Sequence, residues 1–268
     1  MSELLGCDAV GCPVDEYRIA QCKVGNATLK AVGIANVTTI ADTRPFTWTL
    51  GLQERPSAGN GPQITFDRNF YLGTPPSLQL NGTTGCALFF EGIAANLTVP
   101  EDKVDSFTCS DVLNKDCVSD LITQAQLAVK AGEPAKDSDF CNEMRESLVD
   151  KPPSTSLTGD KPLEKTDQSQ CRPTTGQNYD LSLVTSQQQQ SSSRELEQLA
   201  PVLYAITPVM TIFRKGDDTK AGLTCLKLVE SKANQTTDDT KPQGSSAGIN
   251  TPFMAYFALV SLTLVFVL

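Results

Sequence analysis

The chain has 268 residues, with 31 acidic against 22 basic side chains and a formal charge of −9. It therefore lacks the Lys and Arg surplus with which proteins hold phosphate backbones, and nucleic acid is not expected as a partner. It contains no histidine, which removes Ser-His-Asp and Cys-His nucleophile activation, imidazole acid–base catalysis and His-ligated zinc.

Residues 1–101 read as a β-rich part. The opening stretch, Met1 to Asp8, has neither the basic start nor the apolar run of an export signal, so the chain is expected to begin downstream of its signal peptide. Phe46, Trp48, Leu50 and Leu52 alternate with Thr47, Thr49 and Gly51, the pattern of a half-buried strand with the tryptophan in the core. Further strands are expected over Tyr17–Val24, Leu29–Ile34, Gln63–Leu72 and Cys86–Ile93, with turns at Ser57–Pro62 and Asn81-Gly82. The aromatic pairs Phe70-Tyr71 and Phe89-Phe90 put a ring on each face of their strands, as a core on both sides requires.

Residues 102–150 change period. Thr108 and Asp111 have capping-box spacing, and Val118, Leu121, Ile122, Ala125 and Val129 recur at helical spacing up to Gly132. A third helix is expected over Phe140–Val149. Cys109 and Cys117 cannot pair within one straight helix, where eight residues span about 12 Å and a disulfide needs its Cα atoms within about 7 Å. Residues 151–177 are rich in Pro, Ser, Thr, Lys and Asp and read as a linker or long loop. Strands return over residues 178–230 (Tyr179–Thr185, Leu203–Phe213, Leu223–Val229) and are expected to complete the first sheet, with the Gln187–Ser193 run as a solvated loop. Pro208, having no N–H, belongs at a strand edge or bulge. The fold class is thus mainly β, an antiparallel sheet or sandwich with a small helical, cysteine-rich subdomain.

Nine cysteines (Cys7, Cys12, Cys22, Cys86, Cys109, Cys117, Cys141, Cys171, Cys225) lack the paired Cys-x-x-Cys spacing of a zinc site and read as disulfide partners, with the odd one expected at Cys7 or Cys12. Five N-glycosylation sequons start at Asn26, Asn36, Asn81, Asn96 and Asn234. Residues 231–252 form a polar stalk, and Phe253–Leu268 is an uncharged apolar terminus, shorter than the roughly 20 residues that span a bilayer. Small residues at Gly244, Ser245 and Ser246 precede it, the arrangement of a GPI-attachment signal whose apolar tail is removed. The partners expected are the lipid bilayer, through a GPI anchor, and cell-wall polysaccharide.

No catalytic, cofactor-binding or metal-ligating set stands out. Glu54, Asp67 and Glu91 are acidic residues in strand-like contexts, the raw material of a carboxylate-pair hydrolase. Asp137 and Asp139 suit a helix N-cap, and Asp217-Asp218 a turn, better than calcium. The segments Tyr71–Pro76, Gly85–Phe90, Tyr204–Phe213 and Leu223–Leu226 resemble, in the same order, pieces of a family of secreted, GPI-anchored proteins of filamentous ascomycete fungi. The likeness runs from about Cys22 to Val229. It implies a location on the outer face of the plasma membrane or in the cell wall, and it brings no catalytic residues. The reading is a glycosylated, disulfide-stabilised surface protein with a structural, adhesive or recognition role. The alternatives are a secreted carbohydrate-binding module, a glycoside hydrolase and a tail-anchored membrane protein.

Overall fold

A computed structural model describes residues 22–24, 27–55, 64–90, 107–131, 140–147, 154–157, 179–191 and 204–229. All of them belong to the compact unit Met1–Gln235; the second unit, Thr236–Leu268, lies outside the described residues, as do Asn234, Gly244, Ser245, Ser246 and the apolar terminus. Among the described residues no helix is long and apolar enough to cross a membrane.

The fold is mainly β. Four antiparallel strands, β3 (Ala31–Val37), β4 (Phe46–Arg55), β5 (Ile64–Thr74) and β8 (Asp180–Ser191), form a first sheet in the order β3-β4-β5-β8. A second antiparallel sheet has the order β10-β9-β6-β7, built from β6 (Thr84–Phe89), β7 (Ser154–Ser156), β9 (Thr207–Lys215) and β10 (Asp218–Leu226). Of the strands after residue 178, therefore, β8 joins the first sheet while β9 and β10 extend the second. The 151–177 stretch contributes β7 to that second sheet, paired to β6 from Cys86↔Ser156 to Leu88↔Ser154. β9 turns into β10 through Gly216-Asp217, and Gly216 supplies the positive φ, 57°, that a two-residue hairpin needs at its first central position.

Alternation along β4 sends Phe46, Trp48, Leu50 and Leu52 into the space between the sheets, where they meet Phe66, Phe70 and Leu72 of β5 and Ala87, Phe89, Val209 and Phe213 of the facing sheet. Three edge-to-face ring pairs tie the layers: Phe46–Phe213 at 5.5 Å, Trp48–Phe89 at 5.7 Å and Phe70–Phe89 at 5.1 Å. Each such pair contributes about 1 kcal/mol beyond burial of its area. Trp48 is fully buried, as its alternation predicts, and its indole N–H donates to Thr211 Oγ1 at 2.9 Å.

The other face of β4 is covered as well, which the half-buried expectation missed. A small hairpin, β1 (Cys22–Val24) with β2 (Ala27–Leu29), contributes Cys22, Val24 and Leu29 to a cluster with Val32, Ile34, Tyr71 and Leu181. Gly51 makes room for it, since a Cβ there would lie 2.5 Å from Leu29 Cδ1. Thr47 and Thr49 are buried beside it.

Two of the three helices cover the outer face of the second sheet, while the short first one packs through Cys109 on the core between the sheets. α1 (Cys109–Val112), α2 (Lys115–Ala131) and α3 (Phe140–Glu146) follow one another, and Ala125, Phe140, Cys141 and Met144 pack on Cys86, Leu88, Phe90, Met210 and Ile212. The side chains of Leu121, Ile122 and Val129 join them from the same stripe of α2. Thr108 opens α1, its N–H and hydroxyl both donating to Asp111 Oδ2, at 2.7 and 2.8 Å. Asn114, at φ 73°, bends the chain between α1 and α2 and caps the latter by accepting from the Asp116 N–H at 3.0 Å. Two disulfides fasten this layer: Cys86–Cys141 joins β6 to α3, and Cys109–Cys225 joins α1 to β10.

Two local expectations give way. Gln187–Gln190 is not a loop but strand, registered on Arg68 to Thr65 of β5; backbone pairing to an eleven-residue neighbour outweighs the weak strand preference of the glutamines. Pro208 lies in β9, between β6 and β10, yet only as its second residue. There its carbonyl accepts from the Phe90 N–H at 3.0 Å, so its missing N–H removes one bond at the end of the ladder.

One crossing closes a corner of the sandwich. After β10 the chain passes directly over β3, and the Val229 N–H donates to the Val32 carbonyl at 3.0 Å. A Cβ on Gly33 would stand 1.8 Å from the Lys227 carbonyl oxygen, a backbone atom that no rotamer can move. Gly33→Ala is therefore expected to cost upward of about 3 kcal/mol, at the severe end of overpacking, and Gly51→Ala only about 1–2 kcal/mol, because the Leu29 side chain can turn aside. Urea denaturation of the two variants checks the ranking; equal costs would contradict it.

Candidate functional site

On the face of the first sheet turned away from the sandwich, the register assembles a band of polar side chains. Gln53 of β4 stands opposite Asp67 of β5, which stands opposite Gln188 of β8. One step along, Asn69 lies between Gly51 and Ser186; one step the other way, Thr65 lies between Arg55 and Gln190. Because alternate residues share a face, Thr65, Asp67, Asn69 and Tyr71 all line this side while Phe66, Arg68, Phe70 and Leu72 enter the sandwich.

Asp67 is the centre of the band. It is 2% exposed, and its Oδ2 accepts from Arg55 Nε, whose side chain is 56% exposed. Its Oδ1 has no hydrogen-bond partner among the described residues, and the same is true of Thr47 Oγ1 and Thr49 Oγ1 on this face. Asn69 Nδ2 donates to Gln53 Oε1 at 3.2 Å. Asp67, Asn69, Thr47 and Thr49 are buried, so the part of the band that reaches solvent is Arg55, Ser186 and Gln188, with Gln53 and Thr65 half-buried. Burial pushes the Tyr71 hydroxyl from 10.0 up to about 12, with the Asp67 charge adding to the effect and a hydrogen bond from Asn69 opposing it.

This geometry bears on the carboxylate pair. Glu54 is one residue out of phase with Gln53, so it and Asp67 leave the sheet on opposite faces, and Glu54 is engaged at the surface by Lys30 Nζ at 3.2 Å. The two do not form the facing pair a glycosidase needs. Glu91 lies outside the described residues, as do Asp137 and Asp139; Asp217 occupies the β9–β10 turn and Asp218 opens β10. Among the described residues no cluster of three or more Cys, Asp or Glu is arranged to hold a metal ion.

A second feature is a cleft of about 150 Å³ between β3 and β10, lined by Ala35 to Thr38 on one side, Gly222 to Cys225 on the other, and Phe107 to Cys109. The Cys109–Cys225 disulfide forms part of its wall. Two sequons fall on described residues. Asn36 is half-buried at this cleft, whereas Asn81 is exposed in the Asn81-Gly82 turn, where φ is 47° and then 76°. Asn26, Asn96 and Asn234 lie outside the described residues. Of the cysteines, Cys86, Cys109, Cys141 and Cys225 pair as above, and Cys22 is also disulfide-bonded. Among the described residues the free thiol is Cys117, on the solvent side of α2. Cys7, Cys12 and Cys171 lie outside.

The sequence offers Asp67 only as one of three acidic candidates and Tyr71 only as a strand aromatic, while Gln53, Arg55 and Asn69 carry no expectation. The signal was the period-two run of polar residues at 65, 67 and 69, within a segment assigned as a strand without regard to its faces. The Tyr71 shift yields a test. Below pH 10 the phenol is neutral in folded and unfolded chains alike; between pH 10 and 12 only the unfolded chain ionises, so stability should fall as pH rises through this window, by an amount on the order of 2 kcal/mol. Tyr71→Phe should flatten the decline seen in urea melts across that range, and an unchanged slope would contradict the assignment. Comparison with protein-family models, with characterised proteins and with solved structures finds no match to this chain.

Proposed function

We propose that the protein is exported and N-glycosylated, is held on the outer face of the plasma membrane or in the cell wall through a GPI anchor, and serves a structural, adhesive or recognition role there. The observation that carries this reading is the pair of disulfides between distant elements, Cys86–Cys141 across 55 residues and Cys109–Cys225 across 116. Cross-links of this kind persist in oxidising compartments and are rare in the cytosol. The five sequons, the small residues at Gly244, Ser245 and Ser246, the apolar Phe253–Leu268 terminus and the resemblance to fungal surface proteins support the same location.

A second reading, a carbohydrate-binding module acting on wall polysaccharide, is favoured by the polar band around Asp67, with exposed Arg55, Ser186 and Gln188 as its accessible rim. A hydrolase gains no support from Glu54 and Asp67, which occupy opposite faces.

Treatment of intact cells with a phosphatidylinositol-specific phospholipase is expected to release the protein, and a form ending at Asn250 is expected to be secreted freely. Retention of both forms inside the cell would overturn the exported reading and favour a tail-anchored protein. Adsorption of the secreted form to insoluble wall polysaccharide, lost on Arg55→Ala with Gln188→Ala, would select the carbohydrate-binding reading over a purely structural role.

A further inference from the structure

Among the described residues β8 is the one long strand left open along an edge. β7, at one edge of the second sheet, has three residues, and β10, at the other, faces β3 across the cleft and is followed by the bridge from Val229 to Val32. β8 has twelve residues and pairs with β5 along one side; no described strand lies on the other. Its backbone N–H and C=O groups on that side are a template for another strand, which is why long edges ordinarily carry Lys, Pro or an inward-pointing charge. β8 carries none of them. From Leu181 to Ser191 it has no charged residue and no Pro, and its single charge, Asp180, stands at one end. Leu183 is 57% exposed, and Ser186 and Gln188 are exposed beside it.

We propose that this edge is where two copies of the chain associate, each adding its β8 antiparallel to the other's, so that their first sheets become one continuous sheet. The bulge fixes the register. Val184 is the extra residue, lying between Leu183, opposite Tyr71, and Thr185, opposite Phe70. Leu181 and Leu183 therefore line the outer face before it and Ser186 and Gln188 after it, while Val184 and Thr185 both turn toward the sandwich. Read from either end between Asp180 and Gln189, the sequence of faces is the same. Antiparallel pairing about a two-fold axis between Val184 and Thr185 keeps every residue in phase with the one opposite, and a slip by one residue does not. In that register Leu183 lies opposite the partner's Ser186 and Leu181 opposite the partner's Gln188. The ladder supplies about ten hydrogen bonds, as many as a typical interface holds. Charge favours a second copy as the occupant. Each chain carries −9, yet this pairing brings no like charges together, because the two Asp180 residues fall at opposite ends, about 30 Å apart. The inference goes beyond the location and role proposed above and rests on neither.

The test uses two full-length variants, Leu183→Cys and Ser186→Cys, each also carrying Cys117→Ser so that the exposed native thiol does not react. Cβ atoms directly opposite one another stand about 5 Å apart, close to the span of a disulfide. The variants are treated with a copper(II) oxidant, which takes up the two electrons released per disulfide, separately and as an equimolar mixture, and dimer is followed on non-reducing gels. The mixture is expected to cross-link at least about tenfold faster than either variant alone, because pairing holds the unlike thiols at high effective concentration and the like ones a few residues apart. A mixture no faster than the separate variants overturns the inference. Should a variant fail to fold, hydrogen exchange of the unsubstituted chain decides: amides between Leu181 and Gln189 are expected to exchange more slowly as protein concentration rises, and exchange independent of concentration overturns the inference.

Discussion

The structure depends on β4 being buried on both of its faces. A strand in that position presents two rows of side chains that must be covered by separate layers, and the layers here come from distant parts of the chain. The row with Phe46, Trp48 and Leu50 needs the second sheet, supplied by β6, β9 and β10. The row with Thr47, Thr49 and Gly51 lies under the β1–β2 hairpin and Tyr71. Buried hydroxyls without a hydrogen-bond partner among the described residues, such as those of Thr47 and Thr49, destabilise by about 1–3 kcal/mol each where water does not reach them. The ring pairs and the Trp48–Thr211 hydrogen bond across the sandwich offset that cost.

The outermost layer is held differently. α1 and α3 have four and seven residues, well short of the length at which an isolated helix is stable in water. Each carries one cysteine bonded to the second sheet. In the chain-entropy description, closing loops of 55 and 116 residues removes about 4 and about 5 kcal/mol of freedom from the unfolded chain. The helical layer thus owes its place to oxidation as much as to the apolar stripe of α2, and the stability of the fold is tied to the compartment in which it forms.

Much of this was legible locally and little of it globally. The strand positions followed from alternation at Phe46–Leu52 and from turn residues at Asn81-Gly82, and α2 from its helical spacing, because these signals reside in neighbouring side chains. The rise of a helix ruled out a Cys109–Cys117 bond only in a straight helix; the chain does bend between them at Asn114, and Cys109 pairs instead with Cys225. What was not legible depends on distant pairing. The threonine face of β4 looks solvent-exposed until a hairpin from upstream is laid over it. The glutamine run looks like a loop until β5 offers it a full-length ladder. Assigning β8 to one sheet and β9–β10 to the other requires knowing which strand pairs with β6. The polar band sat half in view, in the alternation of Thr65, Asp67 and Asn69, but its width across β4 and β8 comes from register alone. The cleft beside Asn36 exists only because residues 36 and 222 are brought to one corner, where Gly33 lets the chain after β10 cross.

The central claim is a sandwich whose helices are fastened to the second sheet by two disulfides, and it is tested most directly by mapping the cross-links of the native protein. The protein is recovered from its own cells, its free thiols are alkylated before unfolding, and the peptides are analysed without reduction. The account predicts linked peptides containing Cys86 with Cys141 and Cys109 with Cys225, and an alkylated Cys117. Alkylation of Cys86, Cys109, Cys141 and Cys225, or their linkage in other pairs, would contradict it.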